Sequence, residues 1–201
     1  MSLLLESIRI VHNRCPLLPY HLHRIDKTYK HLFSTSAKLE DIKSSIEKAA
    51  LSARNDTVYK LRLLYNRNDW HIEIIPYTMR QISNCQCVYD DTVEYDFKFA
   101  DRRQLEQLSA QHDDADDILI IKNGCVTDSS YANVAFYDGR EWATPATPLL
   151  EGTRRAELLD NKKIVKKDIT VREIVEYQKV SLFNAMINLE EITFSTQNII
   201  L

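Results

Sequence analysis

The sequence predicts an α+β fold, because its strands are expected to pair as hairpins rather than to alternate with helices in βαβ units. Asn123-Gly124 and Asp138-Gly139 each stand between two short apolar runs. Such dipeptides favour the tight turns that join neighbouring antiparallel strands. Helical patterns occur before and between these hairpins, so helices and strands are mixed along the chain.

The composition of residues 77–90 indicates a boundary between two small domains. A hydrophilic patch from Gln81 to Asn84 follows a predicted strand that Pro76 ends. We therefore expect an N-terminal α/β domain over residues 1–84 and a C-terminal domain over residues 85–201. A chain of 201 residues with 44% hydrophobic content is long enough to bury a core.

In the first domain we expect a strand, two helices and a hairpin. The first helix is indicated by apolar residues at steps of three and four and by Pro19 at its start. The polar run over residues 66–69 is typical of a turn between strands. The predicted elements are strand 3–11, helix 19–33, helix 39–54, strand 58–65 and strand 70–75.

In the second domain we expect two hairpins among short helices. A polar helix is expected before the first hairpin, and another helix directly after Gly152. The predicted elements are helix 101–112, a hairpin of 118–121 with Val126, a hairpin of 134–137 with 141–143, helix 153–159, strand 164–170, short helix 171–177 and a last core strand over 179–183.

Charge and hydropathy exclude several classes of partner. The net charge is -3, with basic and acidic residues interspersed, so no basic surface for nucleic acid or anionic membrane is expected. The first residues lack the basic region of a signal peptide, and no apolar run is long enough to span a bilayer. We expect a cytoplasmic protein whose partner is a small molecule.

The four cysteines are expected to be free thiols, since they are few for a disulfide scaffold of this size. Cys85-Gln86-Cys87 resembles half of a metal site. No second Cys or His pair stands at ligand spacing, so we expect no metal.

Lys98 is a candidate for chemistry because of its neighbours. A lysine is usually a solvated surface charge. Tyr95, Phe97 and Phe99 flank this one, and desolvation by aromatic side chains lowers the pKa of an amine and makes it nucleophilic. The sequence therefore favours Lys98 as an amine that can react with an aldehyde.

Two further segments have a structural and a functional interpretation. Asp128 follows the first hairpin, where a carboxylate ordinarily faces water. Gly152-Thr153-Arg154-Arg155 is typical of a helix start with a capping threonine. The free N–H groups of such a start also bind anions, so the same turn could hold a phosphate.

The order and spacing of these motifs resemble those of the class IV aminotransferase family, which also contains aminodeoxychorismate lyase. The likeness covers nearly the whole chain and implies two small domains of the D-amino acid aminotransferase-like fold type IV, with a shortened N-terminal domain. The segments that carry it are Glu6-Ser7-Ile8-Arg9, His21-Leu22-His23-Arg24, Lys98 with Arg102, Asn123 to Asp128, Ala132-Asn133, Thr144-Pro145 and Gly152 to Arg155.

The resemblance also implies roles for individual residues around pyridoxal 5'-phosphate. Lys98 would bind the cofactor covalently and transfer protons. Asp128 stands where the family usually has glutamate, hydrogen-bonded to the pyridine nitrogen. Arg24 and Thr153 would bind the phosphate, with Gly152 allowing close approach. Asn133 would support the strand beneath the cofactor, and it is also a candidate for direct contact with the cofactor.

The function that the resemblance implies is a pyridoxal phosphate-dependent reaction at the amino group of a small molecule. We favour an activity like that of 4-amino-4-deoxychorismate lyase, which forms 4-aminobenzoate and pyruvate for folate synthesis. The alternative is transamination of branched-chain or D-amino acids, and a further one is a homologue that binds cofactor without turnover. The family also implies a homodimer.

Overall fold

The computed structural model describes residues 3–54, 57–110 and 115–201. The chain forms two compact units. The first contains Met1–Met79 and Phe97–Asp101, and the second contains Arg80–Asp96 and Arg102–Leu201. No helix in the described ranges is both long and apolar enough to cross a membrane.

The first unit is an antiparallel sheet with two helices. Its strands are paired in the order β1-β2-β3, with Leu4 opposite Tyr65 and Tyr65 opposite Trp70. The elements are β1 (Leu4–Ile10), α1 (Leu18–Phe33), α2 (Leu39–Ala50), β2 (Tyr59–Tyr65) and β3 (Trp70–Pro76).

The core of the first unit forms where alternate residues of β1 meet the helices. Leu4, Ile8 and Ile10 are at most 1% exposed and pack in one cluster with Ile25 of α1 and Ile42 of α2. Burying each such side chain contributes roughly 1.5–3 kcal/mol. Because side chains alternate along a strand, residue 6 also belongs to this inward face.

The second helix ends earlier than its sequence pattern predicts. We expected it to reach Arg54, and it ends at Ala50. The Asn13 side-chain amide donates to the carbonyl oxygens of Ala50, Leu51 and Ala53 at 3.3, 3.0 and 3.0 Å. A donor from outside the helix thus satisfies its last carbonyl and two carbonyls of the turn that follows.

The segment that carries Lys98 belongs to the first unit, whereas our boundary at residue 84 put it in the C-terminal domain. The physical reason is backbone pairing with β1. The Leu5 amide donates to the Lys98 carbonyl at 2.9 Å, and the Ala100 amide donates to the Leu3 carbonyl at 2.8 Å. Leu4 and Phe99 form an antiparallel bridge.

The second unit is built on a nine-stranded mixed sheet. Its order is β11-β10-β7-β6-β5-β4-β12, and β8 joins β7 to β9. The strands are β4 (Cys85–Tyr89), β5 (Asp117–Lys122), β6 (Cys125–Ser129), β7 (Asn133–Tyr137), β8 (Trp142–Pro145), β9 (Val165–Lys167), β10 (Lys179–Asn184), β11 (Ile187–Ser195) and β12 (Ile199–Ile200).

Helices of the second unit are short. They are α3 (Arg103–Ala110), α4 (Thr153–Asp160) and two 3-10 turns over Val171–Glu176 and Thr196–Asn198. Both predicted hairpins are present, with Asn123 and Gly124 at positive φ in the first. The end of the helix predicted over 101–112 lies outside the described residues. Mixed helices and hairpins confirm the predicted α+β class.

Three strands of the second unit were not predicted, and one was predicted too long. The missed strands are β4, β11 and β12. The strand expected over 164–170 extends only from Val165 to Lys167, because Thr170 instead caps the following 3-10 turn with Glu173. Cys85 and Cys87 lie on β4, and burial raises the pKa of both thiols.

Candidate functional site

The first unit contains a buried polar cluster centred on Glu6. Glu6 lies on the inward face of β1 and is fully buried. Arg24 donates to its two carboxylate oxygens, from Nε at 2.8 Å and from Nη2 at 2.5 Å. His21 Nδ1 lies 2.6 Å from Oε2. His21 and Arg24 are three residues apart on α1 and therefore share one face of the helix.

The protonation states of Glu6 and His21 depend on burial and on their contacts within the cluster. Burial alone raises the pKa of Glu6, but the charge of Arg24 and the hydrogen bonds from His21 and Arg24 lower this pKa to about 2. Burial lowers the pKa of His21 despite its bond to Glu6. A neutral His21 donates through Nδ1, which leaves Nε2 as an acceptor with no partner among the described residues.

Arg24 was predicted to bind a phosphate, and the structure shows which of its donors Glu6 holds. The Glu6 pair uses Nε and one hydrogen of Nη2. The Arg24 side chain is 12% exposed. A bidentate pair fixes the plane of the guanidinium group, so the direction of its remaining N–H groups is fixed too.

Lys98 is half-buried in the first unit, between two aromatic residues that pack on its core. The Phe97 and Phe99 rings lie 6.3 Å apart, and Phe97 also contacts the His31 ring at 4.9 Å. Two of the three predicted aromatic neighbours thus belong to the same unit as Lys98 and pack on its core. Tyr95 belongs to the second unit.

Asp128 is buried at the end of β6, not exposed to water as a strand-end carboxylate would be. Its Oδ1 accepts from Asn133 Nδ2 at 2.7 Å, and its Oδ2 accepts from the Leu150 amide at 2.9 Å. Burial raises the pKa of Asp128 to about 6, although these donors and the charge of Arg155 act in the opposite direction.

Gly152 and Thr153 lie at the start of α4. The sequence indicated Thr153 as the capping residue, but Gly152 occupies the N-cap position, and no side chain caps the helix. Thr153 is the first helical residue, is 3% exposed, and its hydroxyl has no hydrogen-bond partner in the described part of the chain. A buried hydroxyl without a partner beside free helix N–H groups is an arrangement that suits a bound anion.

The sequence analysis did not predict the contacts of Glu6, Leu150 and Arg155. Glu6 was noted only as part of a motif, although a charged residue at an inward position of an alternating strand signals a buried ion pair. The Leu150 backbone carries no such signal. Arg155, which is 3% exposed and donates to the Pro145 carbonyl at 2.7 Å, also acts on Asp128 through its charge.

The sequence pattern of the amino-transferase class IV family matches residues 3–193. The chain belongs to this family. Among its relatives, an uncharacterised protein of Haemophilus influenzae is 33% identical over 184 residues, which are 91% of this chain and 97% of that protein. The predicted family is therefore confirmed over nearly the whole length.

Solved structures share the fold of this chain. A putative 4-amino-4-deoxychorismate lyase of Haemophilus somnus gives a TM-score of 0.86 at 32% identity and covers 94% of this chain and 98% of its own. A hypothetical aminotransferase of Mycobacterium tuberculosis in its PLP-bound form gives a TM-score of 0.81 at 16% identity. The match covers 95% of this chain and 80% of that chain. The fold type IV architecture is thereby confirmed.

We predict that Glu6→Gln destabilises the protein by about 3–5 kcal/mol at pH 7, because it removes the buried anion that pairs with Arg24, whose side chain is only 12% exposed. Glu73→Gln is the matched control, since Glu73 pairs with Arg62 at 2.7 Å with both side chains more than a third exposed. That exposed pair is worth about 0–1 kcal/mol. Urea unfolding measures the free energy of unfolding of both variants. Equal losses of stability in Glu6→Gln and Glu73→Gln would contradict the prediction.

The same variants give a pH test. A carboxyl whose folded pKa is depressed stabilises the fold above its unfolded pKa, and this contribution is lost as pH falls through the folded pKa. For Glu6 the window runs from its ordinary value of 4.5 down to about 2. The stability difference between wild type and Glu6→Gln should therefore shrink across this window.

Proposed function

We propose that the chain binds pyridoxal 5'-phosphate and acts as a lyase on 4-amino-4-deoxychorismate, releasing 4-aminobenzoate and pyruvate. The observation that carries the cofactor assignment is the buried Thr153 hydroxyl, which has no hydrogen-bond partner among the described residues and lies at the start of α4, where no side chain caps the helix. The lyase assignment is supported by the 32% identity to the Haemophilus somnus protein over nearly the full length of both chains.

The residues of the second unit fit the two polar ends of this cofactor. The Thr153 hydroxyl and the first N–H groups of α4 would donate to the phosphate, which the positive end of the helix dipole also favours. Asp128 would accept from the pyridine nitrogen. A carboxyl with a pKa of about 6 is mostly ionised at pH 7, and a cationic neighbour would keep it so.

The proposal assigns the amine to Lys98 and a further cation to Arg24. Lys98 would hold the cofactor covalently through Nζ and, when displaced, would take and return a proton at that atom. Arg24, oriented by Glu6, would donate to the phosphate. The cofactor itself, when bound, supplies a ring that accepts the electron pair released at the substrate's amino-bearing carbon.

Asp128 differs from the glutamate usual in the family by one methylene group. Its carboxylate already accepts hydrogen bonds from Asn133 and Leu150. A carboxylate offers about four acceptor positions, so a further donor can be accommodated. The Asp128 carboxylate therefore keeps an acceptor position for the proposed contact. The homodimer and the cytoplasmic location stay predictions.

We predict that Thr153→Val weakens cofactor binding about 10- to 100-fold without lowering the stability of the cofactor-free protein. The lost hydroxyl would donate to an anion, a bond worth about 1.5–3 kcal/mol, and among the described residues it has no acceptor to lose. Thr144→Val is the matched control, because that buried hydroxyl donates to the Val134 carbonyl at 2.8 Å. Cofactor titration and urea unfolding should show opposite patterns in the two variants, and unchanged affinity in Thr153→Val would exclude the phosphate role.

We predict that Lys98 carries the cofactor. Borohydride reduction of the protein mixed with pyridoxal phosphate, followed by peptide mapping, should place the label on Lys98, and Lys98→Arg should abolish it. Lys122, whose Nζ donates to the Val93 carbonyl at 2.6 Å, serves as an internal control. Labelling of Lys60 or Lys122 in place of Lys98 would refute the assignment.

We predict that the reaction needs no keto acid. A lyase returns the cofactor to its aldehyde form in each turnover, whereas a transaminase stalls without an acceptor. The purified protein should release 4-aminobenzoate from aminodeoxychorismate with no 2-oxoglutarate present. Rapid conversion of the cofactor by L-leucine or D-alanine, reversed by a keto acid, would assign the alternative aminotransferase activity.

A further inference from the structure

Asp128, Asn133 and Leu150 form a closed ring of three hydrogen bonds. Asn133 Nδ2 donates to Asp128 Oδ1 at 2.7 Å and to the Leu150 carbonyl at 2.9 Å. The Leu150 amide donates to Asp128 Oδ2 at 2.9 Å. Asp128 and Asn133 are also bridged through their backbones across β6 and β7. Both backbone polar groups of Leu150 are thus held by this one pair of side chains.

The ring uses the full donor capacity of Asn133. A primary amide has two N–H groups, and both acceptors that Nδ2 meets, a carboxylate and a carbonyl, are unable to donate. This fixes the orientation of the amide, with the nitrogen toward Asp128 and Leu150 and Oδ1 on the other side. Asn133 therefore has no N–H left for a ligand.

The amide oxygen of Asn133 explains why residue 152 is glycine. A Cβ on Gly152 would lie 1.9 Å from Asn133 Oδ1 and 3.1 Å from its Cγ. Gly152 has φ -70° and ψ 145°, a conformation that alanine adopts without strain. The requirement for glycine thus comes from the Asn133 side chain and not from the backbone.

We propose that Asn133 is a positioning residue that locks the Asp128 carboxylate and the Leu150–Gly152 turn into one rigid unit. Its meaning for the cofactor rests on the proposed function, in which Asp128 and the start of α4 hold opposite ends of one molecule. The lock itself is a property of the protein without the cofactor. Asn133 acts through its neighbours rather than by touching the ligand.

The test uses the cofactor-free protein and measures the pKa of Asp128 by ¹³C NMR, with Asp128→Asn to assign the signal. Asn133→Ala removes one donor to the carboxylate and should raise this pKa by roughly one unit. Hydrogen exchange of the Leu150 amide should become about tenfold faster. Without Asn133, the Leu150 carbonyl and the Asp128 carboxylate, which accepts from this amide, each lose a hydrogen bond. Asn133→Ser replaces Asn133→Ala if the latter does not fold, with the same shift expected.

Asn184→Ala is the matched control. This half-buried asparagine of the same unit donates to the Tyr131 carbonyl at 3.4 Å and accepts from the Met186 amide at 2.8 Å. These two side-chain hydrogen bonds involve neither Asp128 nor Leu150. Its replacement should leave the Asp128 pKa and the Leu150 exchange rate unchanged.

A double-mutant cycle separates positioning from simple packing. Gly152→Ala should reproduce the Asn133→Ala shift, because its Cβ displaces the Asn133 amide. In the Asn133→Ala background the obstructing oxygen is gone, so Gly152→Ala should add nothing. An unchanged Asp128 pKa in Asn133→Ala, or additive effects in the double variant, would overturn the proposal.

Cofactor titration of the same variants distinguishes this inference from the proposed function. If the Asp128 pKa shifts as expected but wild type binds no pyridoxal phosphate, the lock stands and the cofactor assignment fails. If wild type binds the cofactor and Asn133→Ala loses affinity with the Asp128 pKa unchanged, Asn133 is a direct ligand contact and the positioning role is wrong.

Discussion

The buried carboxylate of Asp128 is the constraint on which the second unit's site depends. An ionised carboxylate inside a protein is stable only when donors surround it. Asn133 and the Leu150 amide supply them. Asn133 then leaves no room for a side chain at residue 152, so the N-cap of α4 is glycine and no side chain caps the helix. The uncapped N–H groups and the Thr153 hydroxyl remain for an anion, and each of these features follows from the one before it.

The first unit also contains a buried carboxylate, and there a positively charged side chain stabilises it. Glu6 occupies a core position of β1, where an isolated carboxylate would be protonated or expelled. Arg24 and His21 provide enough attraction to keep it ionised, with a pKa of about 2. The consequence is a guanidinium group whose plane is set by a buried partner rather than by solvent. In each unit, therefore, a buried carboxylate accepts hydrogen bonds from donors on a neighbouring element. These bonds fix the orientation of the polar groups around it.

Local patterns predicted the parts of the fold that local physics determines. The Asn123-Gly124 and Asp138-Gly139 hairpins and α4 depend on turn chemistry and helix-start residues that the sequence displays directly. Strand β4 was missed because its neighbours are polar, and only pairing with β5 and β12 makes it a strand. The Phe97–Asp101 segment was given to the wrong unit because its hydrogen bonds go to β1, more than ninety residues earlier. Asp128 and Thr153 were found as candidates, but the Leu150 backbone that holds Asp128 has no signature in residue type.

The missing cap of α4 also connects the site with stability. Glycine at an N-cap costs a helix only about a few tenths of a kcal/mol relative to Ser, Thr, Asp or Asn, but Gly152 offers no side-chain acceptor to the first N–H groups. The Thr153 hydroxyl adds the desolvation cost of a buried group without a partner. A bound phosphate would satisfy both deficits at once, so its binding energy would appear partly as stability of α4. The features that weaken this helix in the free protein are thus the ones that would make it selective for an anion.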